Sequence, residues 1–135
     1  MALRILIADD DSTIRILLRR LLERHSDWRV CGEAVNGVEA VEKVVLFTPD
    51  LAILDLGMPI MNGVQAAREI IKANPRLPML LISVQEVSRQ LADAARDAGF
   101  RGAVTKSCGQ EIVEAVEALV NNELFFAREP PTSFA

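Results

Sequence analysis

Short apolar runs alternate with amphipathic stretches along most of this chain. The runs are Leu3 to Ala8 (LRILIA), Trp28 to Ala34 (WRVCGEA), Leu51 to Leu54 (LAIL), Met79 to Ser83 (MLLIS) and Ala103 to Thr105 (AVT). All are short enough for strands, and several lack clean alternation, as expected of parallel strands buried on both faces. Between them the apolar positions recur at helical spacing. Ile14, Leu17, Leu18, Leu21 and Leu22 follow the i, i+3, i+4, i+7, i+8 rule. Val38, Val41 and Val45 mark a second helix, and Val64, Ala67, Ile70 and Ile71 a third. Val87, Leu91, Ala94, Ala95 and Ala98 mark a fourth, with Gly99 as its C-terminal cap. Ile112, Ala115, Val116, Leu119 and Val120 give the fifth. Pro49, Pro75 and Pro78 fall between elements, where helices stop.

Five strands and five helices in strict alternation imply right-handed βαβ units on a parallel sheet. The size suits an α/β, flavodoxin-like, doubly wound (βα)5 fold with a five-stranded sheet in the order 2-1-3-4-5, an order taken from the class rather than from periodicity. At 135 residues, 50% hydrophobic and 25% charged, one domain is expected. The reading assigns residues 1–121 to that domain and 122–135 to an extended tail or the start of a linker. The tail carries Phe125, Phe126, Phe134 and the Pro130-Pro131 pair. Phe125 and Phe126 either cover the end of the fifth helix or serve a docking segment.

In such sheets, ligands bind outside the carboxyl ends of the strands. The residues just past those ends are Asp9, Asp10 and Asp11 after the first run, Asp55 after the third, Ser83 at the end of the fourth and Lys106 after the fifth. A single Asp there is most often a helix N-cap, the role expected of Asp11 or Ser12. Asp9, Asp10 and Asp55 together are harder to read that way. Carboxylates crowded at ~4 Å repel by about 4 kcal/mol per pair at an effective dielectric of 20, so the cluster calls for a cation. Oxygen ligands without His or Cys select Mg²⁺. A Mg²⁺ beside an exposed carboxylate suggests aspartyl phosphorylation, with Lys106 and Ser83 on the phosphoryl oxygens.

Net charge and the remaining residues narrow the alternatives. At −4 the chain lacks the basic balance of a nucleic-acid binder. Its single histidine, His25, rules against a multi-histidine metal site and reads as a surface residue. Cys31 and Cys108 lie far apart, so a reducing, cytoplasmic setting fits, and both read with Trp28 as packing residues. Arg15, Arg19, Arg20 and Arg24 read as a solvated face of the first helix or, if functional, a kinase-docking or dimer surface. The N-terminal apolar run is too short for a signal peptide or a membrane span. A dinucleotide enzyme fails because DDDST, not a glycine-rich loop, follows the first strand.

These residues resemble the receiver domain of two-component response regulators, over about residues 3 to 121. The resemblance rests on ILIADD (Ile5 to Asp10), LAILDLGMPIMNG (Leu51 to Gly63), LLIS ending at Ser83, and GAVTKS around Lys106. AVNGVEAV and AGFRGAVTKS are most similar to the NarL/LuxR-type subfamily, usually fused to a helix-turn-helix. The resemblance implies Asp55 as phosphoacceptor from a sensor histidine kinase or a small phosphodonor. It implies Mg²⁺ held by Asp10 directly, by Asp9 mainly through water, by Asp55 and by the Gly57 carbonyl. Ser83 and the Val84 amide would hold phosphoryl oxygens, Lys106 would pair with Asp55 or the phosphate, and Gly63 would let the chain turn into the third helix. Phosphorylation would alter the face of the fourth helix, fifth strand and fifth helix, a self-catalysed switch rather than a turnover enzyme. DNA would be reached only through an effector domain, for which the residues after 121 leave no room; dimerisation stays open.

Three departures stand out. Ala103 replaces the usual aromatic switch residue, Ser107 stands where many receivers have proline, and Gly57 and Gln85 flank the acceptor and the switch hydroxyl. A bare Gly57 leaves a path for water that Gln85 can orient, so a short-lived phosphoryl group is expected. Two other functions compete. A phosphate-independent interaction module fits Ala103 but not the retention of all five site residues. A Mg²⁺ phosphohydrolase lacks its second acid, because Gly57 stands two residues past Asp55.

Overall fold

A computed structural model describes residues 2–126 of the chain. Its elements are β1 (Leu3–Ala8), α1 (Ser12–Leu22), β2 (Trp28–Ala34), α2 (Gly37–Phe47), β3 (Leu51–Asp55), α3 (Gly63–Ala73), β4 (Met79–Ser83), α4 (Arg89–Ala98), β5 (Gly102–Thr105), α5 (Gly109–Val120) and β6 (Phe125–Phe126). The strands lie in the order β2-β1-β3-β4-β5-β6, and every neighbouring pair is parallel. The doubly wound order expected of the first five strands is the one observed. The two-residue β6 was not anticipated; of the proposed tail, residues 127–135, including Phe134 and Pro130-Pro131, lie outside the described residues.

Strand alternation divides the core into two layers. Ile5, Ile7, Ile53, Leu80 and Ile82 face one side, where Leu18 and Leu22 of α1 and Ile112, Ala115, Val116 and Leu119 of α5 cover them. Leu6, Ala8, Leu54, Met79 and Leu81 face the other, against Ala40 and Val44 of α2, Ala66, Ala67 and Ile70 of α3, and Ala95 and Ala98 of α4. Both faces are covered, which is why the strand sequences read as nearly unbroken apolar runs.

Helix starts are set by local polar chemistry. Asp11 accepts from the Thr13 amide, Asn36 from Glu39 and Ser88 from Leu91, while Asn62 and Gln65 form a reciprocal capping box. Asp11 is therefore the expected N-cap. Gly99 closes α4 at φ 106°, a left-handed conformation that costs other residues a Cβ clash.

The helical periodicities need correction at several positions. Leu17 is 53% exposed, so the stripe on α1 is narrower than its spacing implies. On α2, Val38 and Val45 face solvent, and the buried residues are Gly37, Ala40 and Val44. Val87 precedes the Ser88 cap and packs from the loop. Cys108 is exposed and is not a packing residue, whereas Trp28 is buried with His25 stacked on it at 4.2 Å.

Candidate functional site

The carboxyl edge of the sheet gathers charged side chains because consecutive strands end there side by side. Asp9 follows β1, and its amide donates to the Ala34 carbonyl at the end of β2. Asp55 is the last residue of β3, one residue further than the apolar run suggested. Ser83 ends β4, and its carbonyl accepts from the Lys106 amide just past β5 at 2.8 Å.

Side chains then converge across the strands. Lys106 Nζ lies 2.7 Å from Asp9 Oδ2 and 3.1 Å from Asp55 Oδ1, in a setting that leaves the lysine side chain 11% exposed and Asp9 wholly buried. Asp10 completes the group: Asp9, Asp10 and Asp55 each offer an oxygen within 4.8 Å of the others. Asp9 Oδ1 accepts from the Asp11 amide at 2.9 Å. Asp9 Oδ2 has the lysine charge beside it yet no aligned hydrogen-bond donor. A buried carboxylate oxygen left in that state carries a desolvation cost that an additional cation would relieve. With two more carboxylates within reach and no His or Cys in the group, the donor set fits a hard divalent ion such as Mg²⁺.

Electrostatics agree with the geometry. Burial, and then the Asp9 charge, push the Asp55 carboxyl above its ordinary range, against the pull of Lys106 and of the Gly57 backbone. Burial works against the Lys106 ammonium, but its contacts with Asp9 and Asp55 prevail and carry it above its usual value.

Ser83 sits one strand from this cluster. Its Oγ accepts from the Gln85 amide at 3.1 Å, which leaves its own proton to donate elsewhere. Gly57 lies exposed in the turn after β3, and a Cβ there would meet no heavy atom within 4 Å. Gly63 has a different role from the one expected. Its φ is not positive, and the left-handed residue of this loop is Ile60, at φ 69°. Gly63 is required because a Cβ would run into the Asp55 carbonyl oxygen. The start of α3 is thereby pressed against the end of β3, which fixes the backbone of Asp55.

Two features escaped sequence reasoning. Arg15 donates to the Asp9 carbonyl at 2.7 Å and pairs with Glu33 at 2.9 Å, while Arg19 pairs with Glu33 at 2.8 Å. These two arginines are therefore anchored to β2 and to the loop that holds Asp9; only Arg20 and Arg24 form an exposed face. The second is Gly37, whose amide donates to the Met61 carbonyl at 2.8 Å and whose missing Cβ makes room for that carbonyl. No spacing rule could find either, because the partners lie on different elements.

Residues 5–117 match the family model described as the response regulator receiver domain. The chain is 37% identical over 119 residues to the transcriptional regulatory protein PdtaR of Mycobacterium tuberculosis, a match covering 87% of this chain and 57% of that protein. It is 39% identical over 104 residues to a protein-glutamate methylesterase/protein-glutamine glutaminase of Pseudoalteromonas translucida, covering 77% of this chain and 26% of the relative. This chain thus spans about half or less of these curated relatives. Among solved structures, a LuxR-family two-component response regulator from Aurantimonas superposes with a TM-score of 0.88 at 32% identity, covering 93% of this chain and 89% of that one. No helix among the described residues is long and apolar enough to cross a membrane.

Proposed function

Since the chain belongs to the response regulator receiver domain family, we propose that it is a phosphorylation-dependent signalling switch whose phosphoacceptor is Asp55. The observation that carries this reading is the Lys106 ammonium held between Asp9 and Asp55 in a cluster of three carboxylates. An Asp55 oxygen attacks the phosphorus of a phosphohistidine or of a small acyl phosphate. A P–O bond to Asp55 forms as the donor's P–N or P–O bond breaks, and the departing histidine nitrogen or carboxylate keeps the electron pair.

Asp9, Asp10, Asp55 and the Gly57 carbonyl are the residues that would hold Mg²⁺. When bound, the ion neutralises charge on the phosphoryl oxygens. The chain's own groups do the rest. Lys106 stands ready to follow a phosphoryl oxygen, and its charge favours the ionised form of Asp55 that attack requires, against the effect of burial. Ser83 donates its free hydroxyl proton to another phosphoryl oxygen, assisted by the Val84 amide. Arg15 and Gly63 are positioning residues that fix the backbones of Asp9 and Asp55.

The family is non-enzymatic, and the acceptor here is consumed and restored rather than turning over an external substrate. The proposed donor in the cell is a sensor histidine kinase, in the cytoplasm. A second copy of the chain and a DNA-binding effector domain are downstream partners consistent with the regulator relatives. The direct test is intact mass after incubation with Mg²⁺ and a small acyl phosphate. A gain of one phosphoryl group that vanishes in Asp55→Asn is the expected result. No gain, with Mg²⁺ binding shown separately, would move the reading to a phosphate-independent interaction module.

A further inference from the structure

Alanine occupies position 103 on β5, and the sixth strand sets an aromatic ring beside it. β6 pairs in parallel with β5, Gly102 opposite Phe125 and Ala103 opposite Phe126. Strand alternation sends Phe125 toward the α1/α5 layer and Phe126 toward the other face. There Phe126 packs against the buried cluster that contains Ala103, Ala95, Ala98 and Phe100. Val87, from the loop after Ser83, and Leu91, from α4, pack against that same cluster.

The strand is held by few contacts, each of them specific. The Arg96 guanidinium of α4 lies 4.4 Å from the centre of the Phe126 ring, within cation–π range. The Phe125 amide donates to the Arg101 carbonyl at 2.9 Å. The reversal from α5 uses Asn122 at φ 61°, with Glu123 donating back to the Ala118 carbonyl. A Cβ at Gly102 would stand 2.7 Å from the Phe125 carbonyl oxygen, so glycine is what lets the two strands close. An open groove beside this strand is lined by Glu86, Val87, Arg96, Thr105 and Phe126 among others.

The geometry points to β6 as a displaceable latch on the α4–β5 edge, in which Phe126, clamped by Arg96, reads the position of the loop after Ser83. This rests on the phosphoacceptor reading, because the loop is expected to move when Ser83 engages a phosphoryl group. Two residue pairs make a strand short enough to open without unfolding the sheet. Val87 and Phe126 pack against the same buried cluster and line the same groove, so a shift of the loop that carries Val87 is proposed to alter the seat of Phe126. Linkage then runs both ways: if occupation of the site loosens the latch, removal of the latch must favour occupation.

The test uses the full chain, with Mg²⁺ and beryllofluoride as the phosphoryl mimic, followed by amide NMR and hydrogen exchange. The expected result is a shift at residues 55–57 and 83–88 together with at least tenfold faster exchange of the Phe125 amide. Phe126→Ala and Arg96→Gln, with unfolding midpoints measured alongside, are expected to tighten beryllofluoride binding about fivefold and about twofold. A response at the site with Phe125 exchange unchanged, or an affinity in Phe126→Ala within 1.5-fold of the parent, would overturn the latch alone. No response at residues 55–57 would overturn the phosphoacceptor reading, and the latch with it.

Discussion

Replacing Lys106 with methionine removes the cation that lies between two buried carboxylates. From its contacts at 2.7 Å and 3.1 Å, the gross attractions are about 6 and about 5 kcal/mol at an effective dielectric of 20. Desolvation of the three groups cancels most of that sum, so neither figure measures stability. What survives is the cost of leaving Asp9 and Asp55 facing each other without a counter-charge, on the order of 3 kcal/mol when one partner of a buried pair is lost. Urea unfolding followed by Trp28 emission measures it, since Trp28 is the sole tryptophan and is buried in the core. The expected outcome is a lower midpoint with an unchanged slope, as for a loss of stability without a change in the surface exposed. Methionine also fits the volume, so a large loss is not a packing effect. Adding Asp9→Asn should return about 1–2 kcal/mol, because it removes the charge that lost its partner. A cost below about 0.5 kcal/mol for Lys106→Met, or additivity of the two changes to within about 0.5 kcal/mol, would refute the counter-charge role of Lys106.

Other perturbations test separate parts of the scaffold. Arg19 and then Arg15 hold the Glu33 carboxyl below its usual range by hydrogen bonds. Its contribution is therefore present above the unfolded value near about 4.3 and is lost as pH falls through the lower folded value. Glu33→Gln should cost about 0.5–1 kcal/mol at neutral pH, allowing for solvent screening, and the gap from the parent in urea titrations should close in acid. Gly63→Ala should cost about 2 kcal/mol by overpacking against the Asp55 carbonyl and slow phosphoryl uptake measured by intact mass; unchanged uptake would remove Gly63 from the positioning role. Gly57→Met meets open space, so its stability should stay within about 0.5 kcal/mol of the parent. Its phosphoryl group, followed by mass after donor removal, should persist several times longer; an unaltered lifetime would argue against water entry past residue 57.

Much of this was legible in the sequence because the fold writes its chemistry next to its strands. A parallel strand covered on both faces must be apolar almost throughout, so the change from Ile7 and Ala8 to Asp9 marks both a strand end and the functional edge. The same holds for Leu54 before Asp55 and for Ser83 closing MLLIS. The α2 phase was not legible, because GVEAVEKVVLF is apolar on more than one side. Packing against α3 and the sheet then favoured the small Ala40 over the larger Val38 and Val45. The Arg15–Glu33 and Arg19–Glu33 pairs join α1 to β2 across 18 and 14 residues, beyond any helical or strand period. Gly63 looked like a turn glycine, but its use is steric. β6 is two residues long, too short for alternation to register, and its position follows from Gly102 and the reversal at Asn122 rather than from its own sequence.

The charge balance of the site links its parts in a definite order. Three carboxylates and one ammonium leave the edge two charges negative, so a phosphoryl donor arriving at it meets repulsion. A divalent ion held by Asp9, Asp10 and Asp55 would bring the edge to neutrality before transfer. The proposed transfer would then turn a singly charged carboxylate into a doubly charged acyl phosphate, leaving an excess of one negative charge. Lys106 is already paired to both Asp9 and Asp55 and can answer that excess by moving from one oxygen to another. Ser83 has a hydroxyl proton to give, since its oxygen accepts from the Gln85 amide. Drawing Ser83 toward the phosphate would strain that contact and pull on residues 84–88. On the proposed reading, the part expected to respond is the edge where Val87 and Phe126 pack against the buried cluster that contains Ala103.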